Sequence, residues 1–376
     1  MERFDVCVIG GGIAGVSVMA HLAATRSCVL VEAEPTLAFH TTGRSAALYF
    51  ENYGHPSIRS LSRASRRYFD SPPEGAADGP LLAPRGALTI ARPRQVDHLD
   101  QVELEGRAAG TDVRRLSPED TADLVPVIRA ELLAAALWEP AAADMDVAGI
   151  HQSFVRLSRA RGGEIRTSAP VSRLERVGGR WTVTAGADTF LCNVVVDAAG
   201  AWGDVVALLA GVQPIGLAPM RRTAFMVAGN EAWKRWPLVV DADHDFYFKP
   251  DGAQLLCSLA DETPSEPCDA RPEEIDVALA IERINEATTL GIRSVRSEWA
   301  GLRTFVPDGG MVIGLDPDAD GFFWLVGQGG TGIQTSPAAG MLAAALVDGD
   351  DVPPFLADQG VSADEFAVGR FREKPG

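Results

Sequence analysis

The N-terminal part of the chain alternates short apolar runs with small or polar breaks. Residues 4–9 (FDVCVI) and 28–31 (CVLV) are mostly apolar, and residues 16–24 between them are mainly small and apolar. Apolar runs of four to six residues are typical of buried strands, whereas a longer run of small apolar residues is typical of a helix packed on a sheet. The pattern therefore predicts a strand, a helix and a second strand, in that order.

A glycine-rich turn joins the first predicted strand to the helix. Gly10, Gly12 and Gly15 give the spacing G-x-G-x-x-G, and Glu32 ends the second strand. The first glycine permits a tight turn, the second lets a pyrophosphate approach the backbone, and the third lets helix and strand pack closely. The helix N-terminus favours phosphate, and the Glu32 carboxylate suits ribose hydroxyls rather than a 2′-phosphate. This turn predicts a site for the ADP half of NAD or FAD, and these residues do not choose between the two.

The middle of the chain favours FAD. Residues 171–177, 180–185 and 189–196 read as three strands separated by Gly-containing turns, which predicts an antiparallel meander. NAD dehydrogenases normally place helical crossovers at this point, whereas a three-stranded meander is typical of FAD and NADPH flavoprotein domains. We further predict a loop over residues 71–86 and helices over 117–124 and 147–160.

A second glycine-rich turn lies in the C-terminal third. Residues 322–326 read as a strand, 327–332 are glycine-rich, and 334–347 read as an alanine-rich helix. In a flavoenzyme, the N-terminus of such a helix can face the pyrimidine edge of the flavin and stabilise the negative charge of the reduced ring.

Length and charge narrow the class of protein. The 376 residues predict two domains. The net charge of −17 disfavours nucleic acid and anionic membranes as partners. Apolar runs are too short for an integral membrane segment, and no export signal is read, so we expect a cytoplasmic protein. The five cysteines form no C-x-x-C pair and are expected to be reduced and mostly buried, and no metal site is expected.

Several longer motifs resemble one family. The chain is similar to the D-amino-acid oxidase/glycine oxidase superfamily of FAD-dependent oxidoreductases and, within it, to the FAD-dependent D-arginine dehydrogenases. The motifs that carry this resemblance are GGGIAG, HTTGRSAALY, ENYG, DAAGAW, PMRRTAF, DFYFKPDG, WAGLRTFVPDG and QGGTGIQTS.

The resemblance implies an α/β fold with two interleaved domains. A Rossmann-type FAD-binding domain with a β-meander would comprise residues 1–50, 145–215 and 300–376. A substrate domain with a large antiparallel sheet and helices would comprise residues 51–144 and 216–299.

The resemblance also implies which residues contact the cofactor, FAD. They are Gly10, Gly12, Ile13, Ala14, Gly15 and Glu32 at the ADP end, Arg44, Ser45, Ala46 and Ala47 on a loop against the flavin, Val171 beside the adenine, Ala199, Gly200 and Trp202 along the cofactor, and Gly329, Gly330, Gly332, Ile333 and Gln334 at the ring.

Four residues match positions that hold the substrate in the family. Arg222, Tyr247 and Arg303 correspond to residues that grip the substrate carboxylate, and Tyr53 corresponds to a tyrosine at the active-site entrance. Their chemistry suits this role, because a guanidinium donates two parallel charged hydrogen bonds to a carboxylate and a tyrosine adds a donor without adding charge. No side chain is assigned as a general base.

Two positions depart from the arginine-specific relatives. Ala87 stands where those proteins have a glutamate that pairs with a cationic substrate tail, and Leu48 stands where they have a histidine. We therefore expect an apolar pocket that disfavours D-arginine and D-lysine, unless Glu51 turns inward and replaces the missing acid.

The predicted activity is oxidative deamination of small α-amino acids, foremost D-amino acids with apolar side chains. Hydride transfer to the flavin gives an imino acid, which water converts to a 2-oxo acid, and oxygen or a quinone then reoxidises the flavin. Two alternatives stay open: an oxidase or dehydrogenase of secondary amines of the glycine, sarcosine or proline type, and a flavoprotein subunit of a larger complex.

Overall fold

A computed structural model describes residues 1–372 of the chain. Its strands are β1 (Glu2–Ile9), β2 (Cys28–Val31), β3 (Leu48–Tyr49), β4 (Leu82–Pro84), β5 (Ala87–Ala91), β6 (Arg114–Leu116), β7 (Ala135–Glu139), β8 (Ala143–Met145), β9 (Glu164–Arg166), β10 (Val171–Val177), β11 (Arg180–Ala185), β12 (Asp188–Asp197), β13 (Ala218–Ala228), β14 (Leu238–Asp241), β15 (Tyr247–Asp251), β16 (Gln254–Ser258), β17 (Thr263–Pro264), β18 (Ser297–Phe305), β19 (Val312–Leu315) and β20 (Phe322–Val326). Its α-helices are α1 (Ile13–Leu22), α2 (Pro56–Asp70), α3 (Val96–Ala108), α4 (Pro118–Leu124), α5 (Val147–Ala160), α6 (Gly203–Leu209), α7 (Glu274–Ala287), α8 (Gly332–Asp348) and α9 (Pro354–Asp358).

The first sheet has the predicted parallel centre. Strand β1 pairs in parallel with β2 on one side and with β12 on the other. Val6 and Val8 face the helical layer of α1, α5 and α8, whereas Cys7 and Ile9 belong to the core on the opposite face. Burial on both faces explains why the first strand reads as a nearly continuous apolar run. The predicted strand–helix–strand unit is therefore confirmed.

The predicted meander is also present, and one long strand joins it to the parallel centre. The first half of β12 pairs antiparallel with β11, which in turn pairs with β10. The last residues of β12 pair in parallel with β20, which brings the C-terminal strand beside the N-terminal ones. The carboxyl ends of β1, β12 and β20 thus meet at one edge of the sheet.

The second sheet is antiparallel except at one pair. Its order within residues 1–372 is β17-β13-β16-β15-β14-β5-β7-β6, with β18 also paired to β13, and the exception is the parallel pair of β14 and β5. One face packs on α7, where Phe225 and Phe248 share a core with Ile284. The other face carries Arg222, Tyr247 and Arg303, which line the cavity of the candidate site.

A third, small sheet has the strand order β3-β8-β4. It corrects the predicted loop over residues 71–86, since β4 forms there by pairing with β8, a partner that the local sequence does not show. The predicted helix starts are also late: α1 begins at Ile13 rather than at residue 16, and α8 begins at Gly332 rather than at residue 334.

The predicted domain division stays a prediction, and its boundary at residue 300 runs through β18. That strand is paired with β13 along nine positions, so the whole of it belongs to the second sheet. Residues 373–376 of the predicted FAD-binding domain lie outside the described residues.

Cys7, Cys28, Cys192 and Cys257 are buried, and all five cysteines are free. Between residues 1 and 372 no helix has both the length and the apolar character needed to cross a bilayer.

Candidate active site

A cavity of about 550 Å³ runs from the carboxyl end of β1 to the face of the second sheet. Gly10 and Glu32 lie at one end, and Arg222, Tyr247 and Arg303 lie at the other. In α/β proteins, nucleotides bind outside the carboxyl ends of parallel strands, which is where the first end of this cavity lies.

The backbone of the first glycine-rich turn requires its glycines. Gly10 has φ +108°, and a Cβ there would lie 2.6 Å from the carbonyl oxygen of Ala198. A Cβ at Gly15 would lie 1.9 Å from the carbonyl oxygen of Gly10, so Gly15 allows the helix to pack closely against the turn. Gly15 itself does not line the cavity. The turn therefore keeps the space beside the first helix free of side chains.

Glu32 has both a structural and a cavity-facing role. Its two carboxylate oxygens accept hydrogen bonds from the backbone N–H of Gly11 (2.6 Å) and of Glu34 (2.9 Å). Each carboxylate oxygen has a second lone pair, so Glu32 can still accept a ribose hydroxyl. Its place on the cavity wall is the one that the sequence predicts.

The other predicted cofactor residues, apart from Gly15, also line the cavity. They are Gly12, Ile13, Ala14, Arg44, Ser45, Ala46, Ala47, Val171, Ala199, Gly200, Trp202, Gly329, Gly330, Gly332, Ile333 and Gln334. The Arg44 guanidinium points away from the cavity's centre, because it donates to the carbonyl oxygens of Ala270 (2.9 Å) and Ala300 (3.0 Å) and pairs with Asp269.

Two features of the wall fit a bound dinucleotide. The ring of His40 lies 4.6 Å from that of Trp202, and its Nε2 contacts Glu34, but its buried Nδ1 has no partner among residues 1–372. Helices α1 and α8 both begin at the cavity, and neither has a side-chain cap from its own N-cap residue. Their N-termini and the His40 ring provide polar groups suited to phosphates and ribose.

Gln334 connects the second glycine-rich turn to the active-site entrance. Its Oε1 accepts from the backbone N–H of Phe50 (3.0 Å), and its Nε2 donates to Ser62 Oγ (2.9 Å). The segment that follows Phe50 carries Tyr53. The start of α8 thus positions the loop that carries Phe50 and Tyr53 as well as another part of the cavity wall.

Arg303 is the centre of the predicted carboxylate clamp. Its Nη1 donates to the Tyr53 hydroxyl at 3.3 Å, and a Cβ on Gly330 would lie 2.8 Å from the same nitrogen. Arg303 makes no salt bridge within residues 1–372. A guanidinium enclosed in a cavity without an acidic partner is suited to an anionic ligand.

Arg222 and Tyr247 face the same space from neighbouring parts of the second sheet. Arg222 donates from Nε to the carbonyl oxygen of Asp261 (2.6 Å) and from Nη2 to Glu262 (2.8 Å). Burial and then the positive charge of Arg303 lower the pKa of Arg222, although a guanidinium remains charged at physiological pH. The structure therefore brings together all four substrate-contacting residues that the sequence predicts.

The apolar part of the pocket differs from the prediction at one position. Leu48 lines the cavity together with Phe50, Leu238 and Val240, whereas Ala87 does not. Ala87 is fully buried one strand further from the cavity, beside Leu238, and its methyl group is too short to reach past that residue. Leu238 therefore occupies the wall that Ala87 was expected to form.

Glu51 does not replace the missing acid. Its carboxylate lies 3.4 Å from the Tyr49 hydroxyl and is absent from the cavity wall. Three further residues were not predicted: His40 and His244, which line the cavity, and Glu262, which contacts Arg222 from outside the cavity wall. His40 stands within the HTTGRSAALY motif, which was a usable signal, but nothing local marked the other two.

His244 lines the cavity at the turn between β14 and β15. Its φ of +58° is rare for a residue with a side chain, and its ring lies 6.0 Å from that of Tyr53. Partial burial, followed by the nearness of His98 and Arg222, lowers the pKa of His244. The imidazole is therefore neutral at neutral pH and adds no charge to the clamp.

The segment that contains Asn52 and Tyr53 is held in place by the buried carboxyl group of Glu139. Asn52 Nδ2 donates to Glu139 at 2.6 Å, and Asn52 Oδ1 accepts from Thr111 Oγ1 at 2.9 Å. Glu139 is 3% exposed, and its second oxygen has no partner among residues 1–372. Burial raises the pKa of Glu139 to about 7.

This carboxyl group makes stability depend on pH. The unfolded chain releases its proton near pH 4.5, so the folded state loses stability as the pH rises from about 4.5 through 7. We expect Glu139→Gln to remove this loss. The free energy of unfolding of Glu139→Gln minus that of wild type should increase by about 2 kcal/mol between pH 5 and pH 8. Urea unfolding of the flavin-loaded proteins measures this difference. The control is Glu74→Gln, which changes an exposed carboxylate. If the free energies of unfolding of wild type and Glu139→Gln change in parallel with pH, the prediction is wrong.

Known proteins match the chain over most of its length. Residues 5–346 match the family described as DAO, FAD dependent oxidoreductase. Human mitochondrial sarcosine dehydrogenase is 27% identical over 361 residues, which cover 89% of this chain and 39% of that protein. The chain thus spans about two fifths of the length of that relative. Glycine oxidase of Geobacillus kaustophilus is 23% identical over 373 residues, which cover 92% of this chain and 93% of that protein.

Solved structures share the fold. Glycine oxidase from Geobacillus kaustophilus superposes with a TM-score of 0.84 at 21% identity, covering 94% of this chain and 98% of that chain. L-Proline dehydrogenase from P. horikoshii superposes with a TM-score of 0.86 at 18% identity, covering 98% of both chains. The family match is consistent with the interleaved sheets and with the glycine-rich turns at the cavity. The chain belongs to the DAO family of FAD-dependent oxidoreductases, and FAD is its cofactor.

Proposed function

We propose that the protein oxidises a small amino acid at the C–N bond next to its carboxylate, with glycine and secondary amines of the sarcosine or proline type as the leading substrate class. The observation that carries this proposal is Arg303, a guanidinium in the cavity with no acidic partner among residues 1–372. The relatives named for glycine, sarcosine and proline support the choice of amine.

The residues of the second sheet bind and orient such a substrate. Arg303 and Tyr247 donate to the carboxylate, and Tyr53 closes the entrance through its contact with Arg303. This fixes the α-carbon relative to the start of α8, where Gly330 and Gly332 leave room for a ring. FAD, which the residues of the two glycine-rich turns would hold, would supply the acceptor for the hydride that leaves the substrate. The protein's contribution is positioning and charge complementarity.

A second candidate class is primary D-amino acids with apolar side chains. The observation that favours it is the apolar wall of Leu48, Phe50, Leu238 and Val240. Each methylene buried there contributes roughly 0.8 kcal/mol, whereas a cationic tail buried without a partner is penalised by more. D-Arginine and D-lysine should therefore be poor substrates under either candidate.

Anaerobic flavin reduction separates the two classes. The flavin-loaded protein is mixed with glycine, sarcosine, L-proline, D-alanine, D-phenylalanine and D-arginine, and loss of flavin absorbance is followed by stopped flow. We expect sarcosine or L-proline to give the highest rate constant divided by apparent dissociation constant. A clear preference for D-phenylalanine would favour the second class, and no reduction by any of these compounds would contradict both.

A further inference from the structure

The two cavity arginines differ in their surroundings. Arg303 has no acidic partner among residues 1–372, whereas the Nη2 of Arg222 donates to the half-exposed carboxylate of Glu262 at 2.8 Å. The Arg222 Nε donates to the carbonyl oxygen of Asp261, so a main-chain contact from the same segment also holds this guanidinium. Arg222 keeps further N–H donors for a ligand.

The remaining groups at this end of the cavity add little charge. Tyr53 and Tyr247 are phenols, and His244 is neutral at neutral pH. The Asp261 carboxylate is turned to Thr223, accepting from its backbone N–H (2.7 Å) and its hydroxyl (3.2 Å), and is not part of the cavity wall. The charges on the cavity wall at this end are therefore the two guanidiniums, and the Glu262 carboxylate lies outside the wall in contact with Arg222.

We propose that Glu262 is a specificity-determining residue that restricts this site to substrates with a single carboxylate. It pairs with Arg222 from the solvent side, whereas Arg303 makes no salt bridge among residues 1–372. The inference rests on the proposed function, because it takes the clamp to be the site of the substrate carboxylate.

The local backbone holds Glu262 in this place. Ala260, two residues earlier, lines the cavity and has φ +58°, and Asp261 is anchored to Thr223 on both its carboxylate oxygens. A second carboxylate, on the amine substituent or the side chain of a substrate, would need Arg222 and would meet the like charge of Glu262. Near a protein surface, two such charges a few ångströms apart repel enough to change affinity by about tenfold after solvent screening.

Glu262→Gln tests the proposal with little risk to the fold. The amide keeps the size of the half-exposed side chain, and the Asp261 carbonyl still holds Arg222. Glu266→Gln is the matched control, because it removes one exposed acid four residues further on that makes no ion pair within residues 1–372.

The first readout does not require turnover. Dissociation constants of propionate and succinate are measured on the flavin-loaded proteins from the change in flavin absorbance. We expect wild type and Glu266→Gln to favour propionate, and Glu262→Gln to improve the affinity for succinate relative to propionate by about tenfold. An unchanged ratio in Glu262→Gln would overturn the proposal.

The second readout separates this inference from the proposed function. Anaerobic flavin reduction by sarcosine is compared with reduction by iminodiacetate, its analogue with a second carboxylate. The ratio of efficiencies should shift toward iminodiacetate by about tenfold in Glu262→Gln, through the apparent dissociation constant. If sarcosine and the other amines fail to reduce the flavin but the succinate ratio shifts, the proposed function fails and the role of Glu262 stands. If amines reduce the flavin and neither ratio shifts, only the role of Glu262 fails.

Discussion

Arg303→Ala should lower kcat/KM for the best amino-acid substrate by about 30- to 4000-fold. The variant removes a cavity guanidinium that has no acidic partner in the described range 1–372, so the substrate carboxylate would be enclosed with too few donors. Truncating one side of a buried charged pair typically costs about 2–5 kcal/mol, and each 1.4 kcal/mol is a factor of ten. Steady-state kinetics with sarcosine and L-proline measure the loss.

The cofactor and a neighbouring arginine provide the controls for this experiment. FAD should remain bound to Arg303→Ala, since the glycine-rich turns are unchanged. Arg221→Ala removes an arginine next to Arg222 that pairs outside the cavity with Glu273 and Asp276, and it should keep kcat/KM within about threefold. Equal kinetics for wild type and Arg303→Ala would show that the carboxylate binds elsewhere.

Gly10→Ala should give a protein that no longer retains FAD. The new Cβ would lie 2.6 Å from the Ala198 carbonyl oxygen, at a φ of +108° that residues with side chains rarely adopt. Relieving this contact moves the turn that the pyrophosphate approaches, and the strain alone costs on the order of 1–3 kcal/mol. We expect at least a 100-fold weaker Kd for FAD, because a misplacement of about 1 Å at a site can cost roughly a factor of 100.

Flavin titration of the apoprotein measures this loss, and circular dichroism reports whether the variant is folded. Gly79→Ala is the control, because a Cβ at Gly79 meets nothing within 4 Å. A folded Gly10→Ala protein that binds FAD as tightly as wild type would contradict the assignment of this turn.

The parts of the fold that sequence predicts best are those specified by neighbouring residues. The β1–α1–β2 unit, the meander of β10 to β12 and the β20–α8 pair all have an apolar period or a glycine turn that is visible within about 30 residues. The sequence predicts the ends of these elements less accurately. Helix α1 starts at Ile13 because Thr42 Oγ1 accepts its N–H, and that partner comes from a distant part of the chain.

Nonlocal pairing limits prediction of the second sheet and of the site. Strand β4 exists because of β8, and the parallel pair of β5 and β14 places Leu238 between Ala87 and the cavity. The clamp arginines were predicted through the family motifs. Glu262 and His244 lie in segments without such motifs, and their roles depend on turns with positive φ at Ala260 and at His244 itself. The periodicity of apolar residues does not predict where such a turn places a side chain.

The pairing of β12 with β20 has a consequence for how the protein acquires its cofactor during synthesis. The ribosome releases β1 and α1 first, but the opposite wall of the cavity, with Gly330 and Gln334, emerges more than 300 residues later. Until then the nascent chain exposes the edge of β12 that β20 will cover, which is a surface for chaperones or for aggregation. Flavin capture is therefore a late event, and flavin supply should affect the yield of protein after translation rather than the early steps of folding.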